Sequence, residues 1–195
     1  MIMDRRAFLA ALAAFGLARP ATAARAVQGL ILHPEPKPLP PLDIRDENGA
    51  AAGLDGLRGQ AVLLNLWASW CMPCVAELPA LDRLKPKAEA MGVQVVALSL
   101  DRGGKVAVVN TYARLGIKAL AIRTDEARAA AEKLGASVLP VTLLLDRQGR
   151  EVARYVGAAE WEGPVAARLL EALGAGRPLT PDMAPPLAKL TGAAP

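Results

Sequence analysis

The 195-residue sequence predicts an α/β domain with a central mixed sheet flanked by helices, and three observations carry that expectation. Short apolar runs alternate with segments of helical character, the pattern of strands interleaved with helices. Two of the runs, residues 61–66 and 93–98, are apolar nearly throughout, as suits strands covered on both faces. The only two cysteines, Cys71 and Cys74, follow the first of these runs at the point where a strand would give way to a helix.

Taken in order, residues 42–45 and the turn at Glu47-Asn48-Gly49 suggest a short N-terminal hairpin at the domain entrance. Residues 62–67 read as a buried strand, 75–91 as a helix, 93–100 as a second buried strand and 106–115 as a second helix. A short strand over 120–123 precedes a helix over 126–134, which Gly135 ends. Residues 141–146 and 151–156, joined by the Gln148-Gly149 turn, form an antiparallel hairpin, and a helix over 165–173 closes the domain. On this reading the domain spans 42–174. The stretch 24–41, with five prolines between Pro34 and Pro41, is expected as a semi-rigid linker. Residues 175–195, with Pro178, Pro181, Pro185 and Pro186, are expected as a flexible tail.

The first 23 residues have the layout of a bacterial secretory signal. Arg5-Arg6 precedes a run of small and apolar residues, and Ala21-Thr22-Ala23 offers a cleavage site after Ala23. The apolar stretch is shorter than the roughly 20 residues that span a bilayer, and the paired arginines suggest the twin-arginine route; an ordinary secretory signal or an uncleaved short anchor are the alternatives. The expected location is the periplasm, with membrane association if the signal is retained. Cleavage would leave 172 residues, enough for one domain, and would lower the net charge from +4 to +2, since three positive charges and one negative charge depart. That balance does not ask for nucleic acid.

A cysteine at a helix N-terminus faces unpaired N–H groups and the positive end of the helix dipole, which stabilise a thiolate. Cys71 is therefore the expected nucleophile, and Cys74, one turn inside the helix, its resolving partner. A structural disulfide across so short a loop would remove little chain entropy. Structural zinc needs four ligands, and His33 in the proline-rich stretch is the only other Cys or His. A metal-carrying dithiol stays open as a second reading.

The segment Trp67-Ala68-Ser69-Trp70-Cys71-Met72-Pro73-Cys74, Pro79 five residues later, and Leu139-Pro140 ahead of the run 141–146 together resemble the thioredoxin fold over about residues 42–174. Within that fold the chain resembles the extracytoplasmic TlpA/ResA-like branch. The branch features are Asn65-Leu66-Trp67, Glu77 three residues after Cys74, a segment inserted before the proline loop, residues 146–150 at the last hairpin, and Gly157-Ala158-Ala159-Glu160-Trp161. The resemblance implies a thiol:disulfide oxidoreductase without cofactor or metal, acting as a reductase. It also implies a cis Pro140 beside the cysteines, with the Leu139 backbone free to pair with a substrate chain. Trp70, Met72 and Pro73 would complete the substrate-binding rim, and Trp67 could be rim or core.

Cytoplasmic thioredoxins keep a buried aspartate behind the disulfide where this chain has Asn65, and Ala97 stands where a lysine is usual. Neither replacement can move protons. Glu77 shares a helix face with Cys74 and is expected to have a raised pKa and to exchange protons with it; the alternative is a solvated first-turn glutamate. The implied partners are a disulfide-bearing client, either apocytochrome c or a copper-assembly protein, and a membrane thiol-transferring electron donor. Two rivals fit less well. A Cu(I) chaperone would want a Met or His cluster, and a peroxiredoxin-like peroxidase would want a Pro-X-X-X-Thr-X-X-Cys motif, which the sequence lacks.

Overall fold

The computed structural model describes residues 29–183; the expected signal at 1–23 and residues 184–195 lie outside the described residues. Six strands form one mixed sheet in the order β1-β6-β5-β2-β3-β4, where β1 is Gly29–Pro38, β2 Ala61–Trp67, β3 Val93–Ser99, β4 Arg123–Thr124, β5 Val141–Leu145 and β6 Arg150–Val156. Four helices accompany them: α1 Met72–Ala90, α2 Gly104–Leu115, α3 Ala129–Lys133 and α4 Pro164–Gly174.

Alternation along the central strands explains the two-sided core. Ala61, Leu63 and Trp67 of β2, with Val93, Val95 and Ala97 of β3, pack under Leu78 and Leu81 of α1, Val108 of α2 and Leu169 and Leu173 of α4. The intervening residues Val62, Leu64 and Leu66 meet Leu98, Val141, Leu143 and Leu145 on the opposite face, covered by Ala130, Leu134 and Ile44. All seven residues of β2 are buried, which is why the run reads as apolar without alternation. β2 pairs in parallel with β3 and antiparallel with β5. Asn65 is thereby set beside Ala97 on one side and Thr142 on the other.

Several expectations change at the edges. Within the stretch expected as a linker, Gly29–Pro38 is a strand that pairs antiparallel with β6. Pro34 and Pro36 lie between Leu32 and Lys37, where the register with β6 shifts, and β1 is an edge strand, the place in a sheet where prolines are tolerated. His33 Nε2 lies 2.7 Å from Glu151 Oε1, and Arg154 Nη2 donates to Glu151 Oε2 at 2.7 Å, so a nearly buried ion cluster fastens β1. Burial pushes the Glu151 pKa up, but Arg154 and His33 outweigh it and the net direction is down.

The N-terminal hairpin expected at 42–49 is reduced to a bridge between Arg45 and Ala51, its turn closed by Asn48 and Ala50 N–H groups donating to Asp46 Oδ1. In the expected tail, Leu179 and Met183 pack partly buried against the core. The short strand lies at Arg123–Thr124 instead of 120–123, and the helix expected over 126–134 shrinks to Ala129–Lys133. Asp82 of α1 accepts backbone N–H bonds from Lys118, Ala119 and Leu120, which ties the inserted segment to the helix. Among the described residues no helix is long and apolar enough to cross a membrane.

Candidate functional site

The turn between β2 and α1 places the cysteine pair. Cys71 is the N-cap of α1 with extended backbone angles, its carbonyl accepting the Val75 N–H at 3.0 Å, and Pro73 sits in the first turn, where a missing N–H costs nothing. Cys71 and Cys74 are joined as a disulfide with Cα atoms 5.3 Å apart. Cys71 keeps 7% exposure and Cys74 none, so a partner sulfur can reach only the first. A reduced Cys71 would have the N–H groups of the first helical turn at hand. Its thiolate pKa is therefore expected below the ordinary value of about 8.5, and the pH dependence of alkylation of the reduced protein checks this, with a midpoint at or above 8.5 as the contrary result.

A buried carboxyl network fixes the turn from behind. Asp101, 4% exposed, accepts from Ser69 N at 2.9 Å and from Ser69 Oγ at 2.7 Å, and Ser99 Oγ donates to it at 2.9 Å. These bonds hold residues 68–70 at the end of β2, so the approach to Cys71 is set before any client arrives.

Around the pair the surface is apolar. Trp70 is 58% exposed and Met72 71%, Pro73 is exposed, and Val138, two residues ahead of Pro140, is exposed as well. The peptide bond Leu139–Pro140 is cis; Leu139 is partly exposed and Pro140 buried, its carbonyl accepting from Gly157 N at 2.9 Å. Trp67 is fully buried and stacks on Tyr112 with ring centroids 5.8 Å apart, which makes it core. Arg128 was not singled out by sequence. It is the only described non-glycine residue with positive φ, and its guanidinium carbon lies 5.3 Å from the Trp70 ring centroid.

Glu77 is fully buried, one turn beyond Cys74, which excludes the solvated alternative. Asn65 Nδ2 donates to its Oε1 at 2.7 Å, while the Ala159 N–H and the Trp161 indole N–H donate to Oε2 at 3.1 and 3.3 Å. Burial raises the Glu77 pKa to about 7, even though all three hydrogen bonds favour the charged form. A carboxyl group poised near neutrality can take or give a proton at physiological pH. Sequence marks Asn65 and Trp161 only as branch features and gives Asn65 no part in moving protons; Thr142, which accepts from Asn65 Nδ2 at 2.9 Å, carries no signal of its own.

The sequence pattern of the Redoxin family matches residues 34–170. The chain is 32% identical over 121 residues to thiol-disulfide oxidoreductase ResA of Bacillus thuringiensis strain Al Hakam, covering 62% of this chain and 69% of that one. This chain is a ResA/TlpA-like member of the Redoxin family. The same similarity extends to ResA of Bacillus subtilis strain 168, at 31% over 114 residues, 58% of this chain and 63% of that one. A crystal structure assigned to the thiol:disulfide interchange protein DsbE of Chlorobium tepidum superposes with TM-score 0.65 at 24% identity, over 74% of this chain and 99% of the other. A secreted thiol-disulfide isomerase of Corynebacterium glutamicum gives 0.64 at 23%, over 77% and 95%. These two confirm the thioredoxin-like architecture. With the Cys-X-X-Cys pair in place, the family member is a thiol:disulfide oxidoreductase of the ResA type.

Clefts elsewhere do not compete with this surface. One of about 260 Å³ is lined by Leu39, Leu42, Leu54 and Arg58, another of about 600 Å³ by His33, Arg147 and Arg177, and neither touches a cysteine or Pro140. The pair works from an exposed apolar rim suited to another polypeptide.

Proposed function

We propose that this oxidoreductase is an exported reductase of client cysteine pairs, with Cys71 as nucleophile, Cys74 as resolving thiol and Glu77 as the acid/base group. The observation that carries the reading is the pairing of a reachable N-cap Cys71 with a buried Cys74 that has a buried carboxyl group one turn away.

Cys71 thiolate attacks one sulfur of the client disulfide; the mixed disulfide forms and the other client sulfur leaves as a thiolate that takes a proton. Cys74 then gives its proton to the Glu77 carboxylate and attacks Cys71 Sγ. The Cys71–client bond breaks, and the second client sulfur leaves and is protonated. Two electrons pass from the enzyme dithiol to the client, and the enzyme ends as the disulfide. While the mixed disulfide lasts, the client backbone pairs along Leu139 beside the cis Pro140, with Trp70, Met72 and Pro73 against its side chains.

The expected clients are the cysteine pair of an apocytochrome c haem motif or that of a copper-site assembly protein. A membrane thiol-transferring donor would return the enzyme to its dithiol state in the periplasm, where dedicated oxidases keep conditions oxidising. The leader-like residues 1–23 and the secreted relative from Corynebacterium glutamicum support export.

Direction and client class are tested together by mixing the reduced protein with oxidised peptides carrying a haem-motif or a copper-site cysteine pair, and by measuring the potential of Cys71–Cys74 against glutathione. Reduction of at least one peptide to completion is expected. A potential near that of a strong periplasmic oxidant, about −120 mV, with no peptide reduced, would reverse the assignment.

A further inference from the structure

The donors around Glu77 pose a problem for its neutral form. Ala159 N–H and Trp161 Nε1–H can only donate, and in the observed arrangement Asn65 also donates, so a protonated Glu77 has no acceptor among these three partners. A carboxyl proton on Oε2 would point at two N–H groups; on Oε1 it would point at the Asn65 NH2. Meanwhile Asn65 Oδ1 is buried with no hydrogen-bond partner. Asn65 thus carries the missing acceptor on the wrong side of its amide.

Half a turn about the Asn65 Cβ–Cγ bond exchanges Oδ1 and Nδ2. Oδ1 would then accept from the Glu77 carboxyl O–H across the 2.7 Å contact, and from the Thr142 hydroxyl across the 2.9 Å contact. Thr142 can follow, because a hydroxyl donates as readily as it accepts. The groups are completely buried, so bulk water offers no alternative partner.

We propose that Asn65 is a positioning residue for Glu77: its amide donates to the carboxylate, turns over to accept from the carboxyl group, and the Thr142 hydroxyl reverses its bond to match. The proton that moves between Cys74 and Glu77 is then accompanied by a rearrangement of hydrogen bonds reaching from β2 to β5. An aspartate at position 65 would compete for that proton; an asparagine only follows it. The catalytic consequence rests on the acid/base reading of Glu77, whereas the coupling of the amide to the Glu77 proton does not.

Few other groups can disturb the titration. Cys74 lies on the same helix and does not titrate in the disulfide. Tyr155 faces Glu77 from β6, and its ionisation is pushed up by burial and then by the Glu77 charge. β2, β5 and the 157–161 loop bring Asn65, Thr142, Ala159 and Trp161, none of them charged, and Glu160 of that loop is exposed.

The test is NMR of the oxidised full-length chain between pH 5 and 9. Above the midpoint of the Glu77 carboxyl resonance, the Asn65 side-chain N–H protons should show cross-peaks to Glu77 and Thr142 side-chain protons. Below it, those cross-peaks should weaken several-fold. Cross-peaks unchanged through the midpoint would overturn the proposal. In Asn65→Ala the carboxylate loses a donor and the carboxyl group loses its acceptor, so the two losses oppose each other and the Glu77 midpoint should move little; a rise of about one pH unit or more in the folded variant, as loss of a donor to the carboxylate alone would give, would also overturn it. A wild-type rate without inflection at the Glu77 midpoint would instead refute the acid/base role, which the cross-peaks do not address.

Discussion

Replacing Cys71 with serine should reduce disulfide exchange by more than about a thousandfold, because the hydroxyl of serine is not ionised near neutral pH and nothing else on this surface can attack sulfur. Cys74→Ser should behave differently. Cys71 is the partly exposed member of the pair and Cys74 has no exposure, so the first attack survives and the reaction stalls at the mixed disulfide. Mass spectrometry of each variant after incubation with a disulfide client separates the roles. Adduct should accumulate on Cys71 of the Cys74→Ser protein and be absent from Cys71→Ser; equal adduct on both would contradict the division of labour.

The second large effect is on stability. Glu77 has a folded-state pKa of about 7 against an ordinary 4.5. The folded protein therefore holds this proton more tightly than the unfolded chain does. Its contribution is fully present below about pH 4.5 and is lost as pH rises through 7. The loss by pH 8 is about 3 kcal/mol, which for a domain of this size lowers the melting temperature by on the order of 10 °C. Glu77→Gln removes the charge and should melt at nearly the same temperature at pH 5 and pH 8. Melts of the oxidised proteins, in which the cysteines do not titrate, check this; parallel slopes for both would mean that the carboxyl group is already ionised at pH 5.

What could be read from sequence was what depends on near neighbours. The strand run into Cys71-X-X-Cys74, the i, i+3 step to Glu77 and the turn at Gly149 are local patterns, and each lies where the chain suggested. β1 was not legible, because Pro34, Pro36 and Pro38 read as a tether until β6 supplies a partner for one side of the strand. The network around Glu77 was only half legible. Asn65, Thr142 and Trp161 are 12, 77 and 84 residues from the groups they contact, and only the sheet register and the return of the 157–161 loop bring them together. The Asp101 clasp on Ser69 was missed for the same reason. Arg128 beside Trp70 likewise depends on the path of the inserted segment.

The central claim, that Glu77 exchanges the proton that Cys74 must lose and regain, is tested most directly by stopped-flow reduction of a protein disulfide from pH 5 to 9. Wild type and Glu77→Gln would be compared under single-turnover conditions. The wild-type rate should inflect near pH 7, where the buried carboxyl group titrates. Glu77→Gln should be slower by about a hundredfold and lack that inflection. Superimposable rate profiles for the two proteins would contradict the claim and leave Glu77 as a buried structural carboxylate.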